Sequence, residues 1–426
     1  MPSKEPLRIT GIDAEQILDS RGHPTLHVEL TAGDGAVHHG FAPSGASTGE
    51  HEARELRDGG PEYGGLGVTN AIAVVAGKIE PLLRHGQWTC LDDIDDALQR
   101  TDGTGHFARI GSNTAVAVST ACARAFAARD ELPLHAWIAA RLGTTPTLPV
   151  PHFNVVNGGI HAANGLAFQE FLVAPTGAST MAEAVRMGAE IYAALAGQLR
   201  SRFGTVGVGD EGGFAPDTDD ERQILGVLVR SIEDAGFTPG HEVQIALDSA
   251  ANGFYDGRAY RLHGRWRTAD QLLDRYDELV RDFPIWSLED PFDESDRPAW
   301  RACVDQLGGR VQVLGDDIFV TDARRIRQGA QDGIATAALI KPNQIGTVTQ
   351  TFEALRTARE VGLAAMISHR SGETLDTFIA DLAVGAGVGQ LKAGALARGE
   401  RVAKYNRLTR IEELHPELRY AELRSS

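Results

Sequence analysis

Ile285-Trp286-Ser287-Leu288-Glu289-Asp290-Pro291 is a short apolar run that ends in two adjacent carboxylates with a proline behind them. Proline lacks a backbone donor and stops a regular element, so Glu289 is expected at the exit of a buried strand. The pattern recurs through the second half of the chain. Upstream, Val243 to Leu247 runs into Asp248; downstream, Val311 to Gly315 runs into Asp316 and Asp317, and Ala337 to Ile340 into Lys341. Leu363 to Ile367 ends in Ser368-His369-Arg370-Ser371, and Gly389 to Leu391 ends in Lys392.

These endings lie roughly 24 to 41 residues apart, room for a crossover helix between parallel strands. Helical patterns fill the intervals. Thr268 can cap with Gln271, and Leu272, Leu273, Tyr276, Leu279, Val280 and Phe283 share one stripe. Val348, Phe352 and Leu355 begin another, which Gly362 is placed to end. Strand and helix units with polar residues gathered at the strand C-termini predict a (β/α) barrel whose active site lies on that face.

The 426 residues suffice for two domains, and a formal charge of −17 argues against nucleic acid or an anionic membrane as the main partner. A small anionic substrate remains compatible, because lysines and bound metal can invert the field in a cleft. Cys90, Cys122 and Cys303 have no ligand-like spacing and read as thiols in a reducing compartment. MPSKEPLRIT has no apolar h-region and no apolar run is long enough to span a bilayer, so a cytoplasmic protein is expected.

Near the start, Leu26, Val28 and Leu30 alternate with polar residues, and Gly33-Asp34-Gly35 offers a turn before Val37, which predicts an antiparallel hairpin. Pro43 to Glu50 (PSGASTGE) is small and polar and reads as a mobile loop. Helices are expected over Thr69 to Leu83, Leu91 to Gln99 and Asn113 to Arg129, the last rich enough in alanine to pack closely on another helix. The proline-broken segment from Gly143 to Pro151 marks a boundary. An α+β capping domain over 1–140 is thus expected ahead of a catalytic barrel over 141–426.

Several groups carry chemistry. Asp248, Glu289 and Asp316 offer oxygen ligands with no histidine or cysteine among them, which points to a hard ion, Mg²⁺ before Mn²⁺. Clustered carboxylates repel one another unless a cation sits among them. Lys341 at a buried strand end, near Mg²⁺ or Lys392, is expected to have a lowered pKa and to act as a base. A base facing a dication suits removal of a proton α to a carboxylate. Glu170 interrupts an apolar run and Glu211 sits in Gly207-Val208-Gly209-Asp210-Glu211-Gly212; either could protonate a leaving hydroxide. That glycine pattern is not a dinucleotide loop, since its two carboxylates would repel a pyrophosphate and Pro216 blocks the helix that should follow. His161 beside a glycine pair reads on its own as a loop histidine. Arg370 and Ser371 suit a phosphate.

From end to end the chain resembles the enolases, through DSRGHPT, PSGASTGE, NGGIHA, FQEF, GVGDEGGFAP, ALDSA, SLEDPF, GDDIFVT, LIKPNQIG, SHRSGET, GQLKAG and KYNRLTRIEE. A lysine base paired with Mg²⁺ is familiar from that superfamily. The resemblance implies a modified barrel whose first strands depart from the simple repeat, and a reversible dehydration of 2-phosphoglycerate to phosphoenolpyruvate. It implies Lys341 as the base at C2 and Glu211 as the acid, with Glu170 beside it and His161 on a closing loop. Asp248, Glu289 and Asp316 would hold one Mg²⁺ and Ser47 would help bind a second; Arg370 and Ser371 would meet the phosphate and Lys392 the carboxylate.

Departures from the family pattern spare that set. His23, Leu375, Ala393 and Gly399 replace the usual asparagine, glutamate, threonine and serine. A homodimer or higher homo-oligomer is implied, yet Glu15 and Glu400 stand where an arginine and a glutamate usually pair across it; Arg21 and Glu413, the other expected pair, are present. Two alternatives follow: a paralogue acting on a related phosphonate or carboxylated substrate, or a scaffold that keeps the fold without turnover.

Overall fold

A computed structural model describes residues 5–46, 49–84 and 86–423. It opens with a three-stranded antiparallel sheet, β1 (Ile9–Leu18), β2 (Pro24–Ala32) and β3 (Val37–Phe41). Leu26, Val28 and Leu30 are buried on one face, as the period-two pattern requires. The alanine-rich helix Ser112–Arg129 covers that face. The helix does pack on other helices, Leu91–Asp102 among them, but its small side chains also let β2 and β3 approach. A Cβ on Gly40 of β3 would lie 1.8 Å from the Ala117 carbonyl oxygen.

The rest is a closed barrel of β4 (Val150–Asn157), β5 (Glu170–Ala174), β6 (Gln244–Asp248), β7 (Ile285–Glu289), β8 (Gln312–Gly315), β9 (Ala337–Ile340), β10 (Ala364–Ser368) and β11 (Gln390–Lys392). β11 pairs back onto β4 and closes the ring. Six contacts around it are parallel, but β5 runs antiparallel to both neighbours, which is the departure from a simple repeat. Helix Ala269–Asp282 carries the reciprocal cap between Thr268 and Gln271 and buries Leu272, Leu273, Tyr276 and Leu279. Among the described residues no helix is long and apolar enough to cross a membrane. The cysteines are free thiols, with Cys122 and Cys303 buried and Cys90 partly so.

The two parts meet around the C-terminal mouth of the barrel. Ser44 pairs with Gly372 through backbone hydrogen bonds, and the Ala46 amide donates to Ser371 Oγ at 3.0 Å. Ser47, assigned to the second metal by resemblance, lies outside the described residues.

Candidate active site

Strand pairing sets the site. Glu170, Asp248 and Glu289 stand side by side in register at the mouth, because β5 enters there while β6 and β7 leave. Asp316 follows β8, Lys341 follows β9, and Lys392 ends β11. All these side chains except that of Lys341 are almost wholly buried, and Lys341 is only slightly more open. Asp290 does not join them. Its backbone sits at φ 39°, which turns the carboxylate away from Glu289 to accept the Asp316 and Asp317 amides at 2.8 and 2.9 Å. One carboxylate of the Glu289-Asp290 pair therefore faces the mouth and the other braces the next strand.

Two ammonium groups face the acids. Lys392 Nζ lies 2.7 Å from both Glu289 oxygens, 3.2 Å from Glu170 Oε2 and 3.4 Å from Asp248 Oδ2. Lys341 Nζ is hydrogen-bonded to Asp316 Oδ2, and Gln344 donates to the other Asp316 oxygen at 2.9 Å. The expected lowering of the Lys341 pKa is corrected here. Burial, the largest single influence, pushes it down, but Asp316 at its side acts with Glu289 to leave the amine raised overall. In the same cluster burial, then Asp248, push the Glu289 carboxyl well above its usual range.

The fit to a hard cation rests on this donor set: three buried all-oxygen side chains on consecutive barrel strands. The three are not drawn into one tight group, since Asp248 and Glu289 turn to Lys392 and Asp316 to Lys341. Among the described residues, the active-face groups whose ligand atoms lie within 4.8 Å of one another are His161-Glu170-Glu211 and Asp290-Asp316-Asp317.

Opposite the lysines, Glu211 hangs from the turn between the short paired segments Gly207–Val208 and Phe214–Ala215, anchored on β4. Asn154 Nδ2 donates to Glu211 Oε2 at 2.9 Å. His161, on the turn Gly159–His161, places Nε2 3.5 Å from Glu211 Oε1. His369 places Nε2 3.5 Å from Glu211 Oε2. Arg401 Nη1 donates to His369 Nδ1 at 2.6 Å; an arginine cannot accept, so the His369 proton is on Nε2 and points at Glu211. Burial takes His369 down to about 4. Burial would raise Glu211, but the two histidines facing it hold it well below the carboxylate range. With His369 neutral, its N–H hydrogen bond and the fixed charge of Arg401 still favour the Glu211 carboxylate at neutral pH. Glu170 goes the other way: burial lifts it well above its usual value despite Lys392.

Arg370 and Ser371 face the mouth from the end of β10. Glu52 grips Arg370 in a two-pronged pair at 2.9 and 3.1 Å, so a charged tie links the first domain to that arginine. His161, Glu170, Glu211, Lys341, Arg370 and Lys392 line one narrow pocket. Sequence reasoning missed His369, Asn154 and Glu52. The Ser368-His369-Arg370-Ser371 ending put His369 in view, but only the fold shows it aimed at Glu211.

Two family models match the chain: the enolase N-terminal domain over residues 9–138 and the enolase C-terminal TIM barrel domain over residues 145–424. A curated relative named "Enolase", from Acidothermus cellulolyticus, is 49% identical over 414 residues, which cover 97% of this chain and 96% of that protein.

Proposed function

The chain belongs to the enolase family, and from that premise we propose that it is a phosphopyruvate hydratase, a carbon–oxygen lyase that reversibly dehydrates 2-phospho-D-glycerate to phosphoenolpyruvate and water. One observation carries the reading: the Lys341 amine and the Glu170-Glu211 carboxyl pair line a single buried cavity, a base on one side and acids on the other.

Lys341 removes the proton at C2, and Glu211 is the acid toward the hydroxide leaving C3, passing on a proton drawn from Glu170, which burial keeps in its neutral form beside it. Asp248, Glu289 and Asp316 would hold one Mg²⁺ and Ser47 would contribute to a second; when bound, these ions supply the positive charge against which a carbanion next to a carboxylate can form. Lys341 must be neutral to act. Its proton is kept by Asp316 in this structure; with Asp316 committed as a metal ligand, Lys392 and Arg370 would favour the neutral amine. Arg370 and Ser371 take the phosphate, with Glu52 as the carboxylate it displaces. Lys392 takes the substrate carboxylate in exchange for part of its contact with Glu289 and Asp248. His161 closes the acid side. The division into a capping domain (1–140) and a catalytic barrel (141–426), a homodimeric assembly and a cytoplasmic location belong to the same reading.

The dimer is compatible with the altered charges. Glu400 lies 3.2 Å from Arg398 Nε and 3.3 Å from Arg401 Nε, and Glu15 is bonded to His27, so each acid is engaged within its own chain.

The test is formation of phosphoenolpyruvate from 2-phosphoglycerate in Mg²⁺ by the purified protein, followed by its absorbance. Lys341→Ala is expected to lower kcat by about 10²- to 10⁴-fold with an unchanged circular dichroism spectrum. A folded wild-type protein without turnover would overturn the assignment.

A further inference from the structure

The outer face of the N-terminal sheet carries a second constellation of metal-binding type, remote in the fold from the barrel mouth. β1, β2 and β3 pair so that Glu15 stands opposite His27, and Glu29 opposite His39. Period two places His27 and Glu29 on the same face of β2, the one turned away from Leu26, Val28 and Leu30. The side chains meet there. Glu15 Oε1 lies 2.8 Å from His27 Nδ1, His27 Nε2 lies 3.0 Å from His39 Nδ1, and Glu29 Oε1 lies 3.5 Å from His39 Nδ1. One ligand atom from each of His27, Glu29 and His39 falls within 4.8 Å of the others.

We propose that His27 Nε2, His39 Nδ1 and the Glu29 carboxylate bind a divalent transition metal of the zinc type, with Glu15 orienting His27 from behind and a water in the fourth position.

The tautomers make the case. A carboxylate can only accept, so Glu15 puts the His27 proton on Nδ1 and leaves the Nε2 lone pair aimed at His39. A carboxylate behind a ligating imidazole is the arrangement that fixes its tautomer and raises its basicity in metal sites. Phe41 stacks on the His27 ring with centroids 4.3 Å apart, which holds the ring in place. In the metal-free state one proton, on His39 Nδ1, bridges the two rings. A metal replaces that bridge when the His39 proton moves to its other ring nitrogen, Nε2, so neutral histidines need release no proton. Tetrahedral bonds of about 2.0–2.1 Å separate two nitrogen ligands by about 3.3 Å, slightly more than the distance found here. His39 can supply the adjustment, since its side chain is 49% exposed while that of His27 is 9% exposed. Asp13, opposite Glu29 on β1, adds negative charge to the same face. Two imidazoles with a carboxylate select zinc, copper, nickel or cobalt over the Mg²⁺ that suits the barrel mouth.

The experiment uses the full-length protein in saturating Mg²⁺ and titrates it with Zn²⁺ by calorimetry and with Co²⁺ by visible absorption. Wild type is expected to bind one more ion per chain than His39→Ala, with a tetrahedral cobalt spectrum that the variant lacks. Glu15→Gln is expected to keep the site and weaken it about 10- to 100-fold. Turnover of 2-phosphoglycerate should be the same in wild type and His39→Ala, which separates this site from the catalytic one. Equal stoichiometry in wild type and His39→Ala, or no Zn²⁺ bound beyond that taken up by His39→Ala, would overturn the proposal; His27→Ala provides the same comparison should His39→Ala fail to fold.

Discussion

At the scale of single residues, the chemistry depends on which group owns a proton, and ownership follows from partners rather than residue type. Lys341 is held protonated by Asp316, Glu211 is kept ionised by donors from His369 and Asn154, and Glu170 is driven toward its neutral form by burial. The roles separate experimentally through isotope exchange. If Lys341 abstracts the C2 proton, Glu211→Gln should still exchange the C2 hydrogen of 2-phosphoglycerate with solvent while losing dehydration by about 10²- to 10⁴-fold. Lys341→Ala should lose both. Exchange by Lys341→Ala, followed by proton NMR in deuterated buffer, would reassign the base. The positions of the carboxylates and lysines were legible in the sequence, because a polar residue ending an apolar run has few places to go but the strand exit. The direction of the Lys341 shift was not. It depends on a hydrogen bond to Asp316, and the sequence offered equally good reasons for the opposite sign. His369 escaped for a related reason: four consecutive polar residues end β10, and only their backbone path shows which one meets Glu211.

At the scale of elements, periodicity was read correctly where one face is buried and missed where neighbours decide. The hairpin, the cap at Thr268 and the barrel strands follow from residues within a few positions of one another. The antiparallel entry of β5 does not, since nothing inside Glu170–Ala174 states its direction. Close approach likewise needs the third dimension: Gly40 has to lack a side chain because the Ala117 carbonyl occupies that space. Gly40→Ala should separate β3 from the Ser112–Arg129 helix and lower stability by about 3 kcal/mol, measured by urea unfolding. A change under about 0.5 kcal/mol would mean that the helix shifts freely.

His152 of β4 gives a test by pH. It is buried, accepts from Trp286 Nε1 at 3.2 Å, and is taken down to about 4 by burial. An unfolded histidine binds a proton below about 6.5, whereas the folded one stays neutral until about 4. Its contribution to stability is therefore complete above pH 6.5 and is lost as pH falls toward 4, up to about 3 kcal/mol. His369 has the same sign; Asp95, raised to about 6 by burial, has the opposite one. His152→Asn should thus flatten the loss of stability between pH 6.5 and 4.5 relative to wild type. An unchanged slope would show that acid unfolding is governed elsewhere.

At the scale of the whole molecule, the barrel gathers negative charge on a chain that already carries −17, and the question is what offsets it. Lys392 and Lys341 provide two positive charges against Asp248, Glu289, Asp316 and Glu170. If those lysines satisfied the acids completely, a divalent cation would have nothing to gain. Burial and Asp248 still raise Glu289 well above its usual range with Lys392 at 2.7 Å, so the acids are not fully compensated. Mg²⁺ should therefore bind the folded state and stabilise it. At a hundred times its dissociation constant, a ligand specific to the native state contributes about 2.7 kcal/mol. A chain this long has an unfolding entropy of roughly 0.9 kcal/mol per degree, so Tm should rise by about 3 °C from EDTA to saturating Mg²⁺. Asp248→Asn keeps an oxygen for the Ala250 amide, which donates to Asp248 Oδ1 at 2.9 Å, while removing one charge from the set. It should fold and lose most of the Mg²⁺ shift in scanning calorimetry. Equal shifts in wild type and variant would place the ion elsewhere, and no shift in wild type would show that the buried cationic side chains already offset the acids.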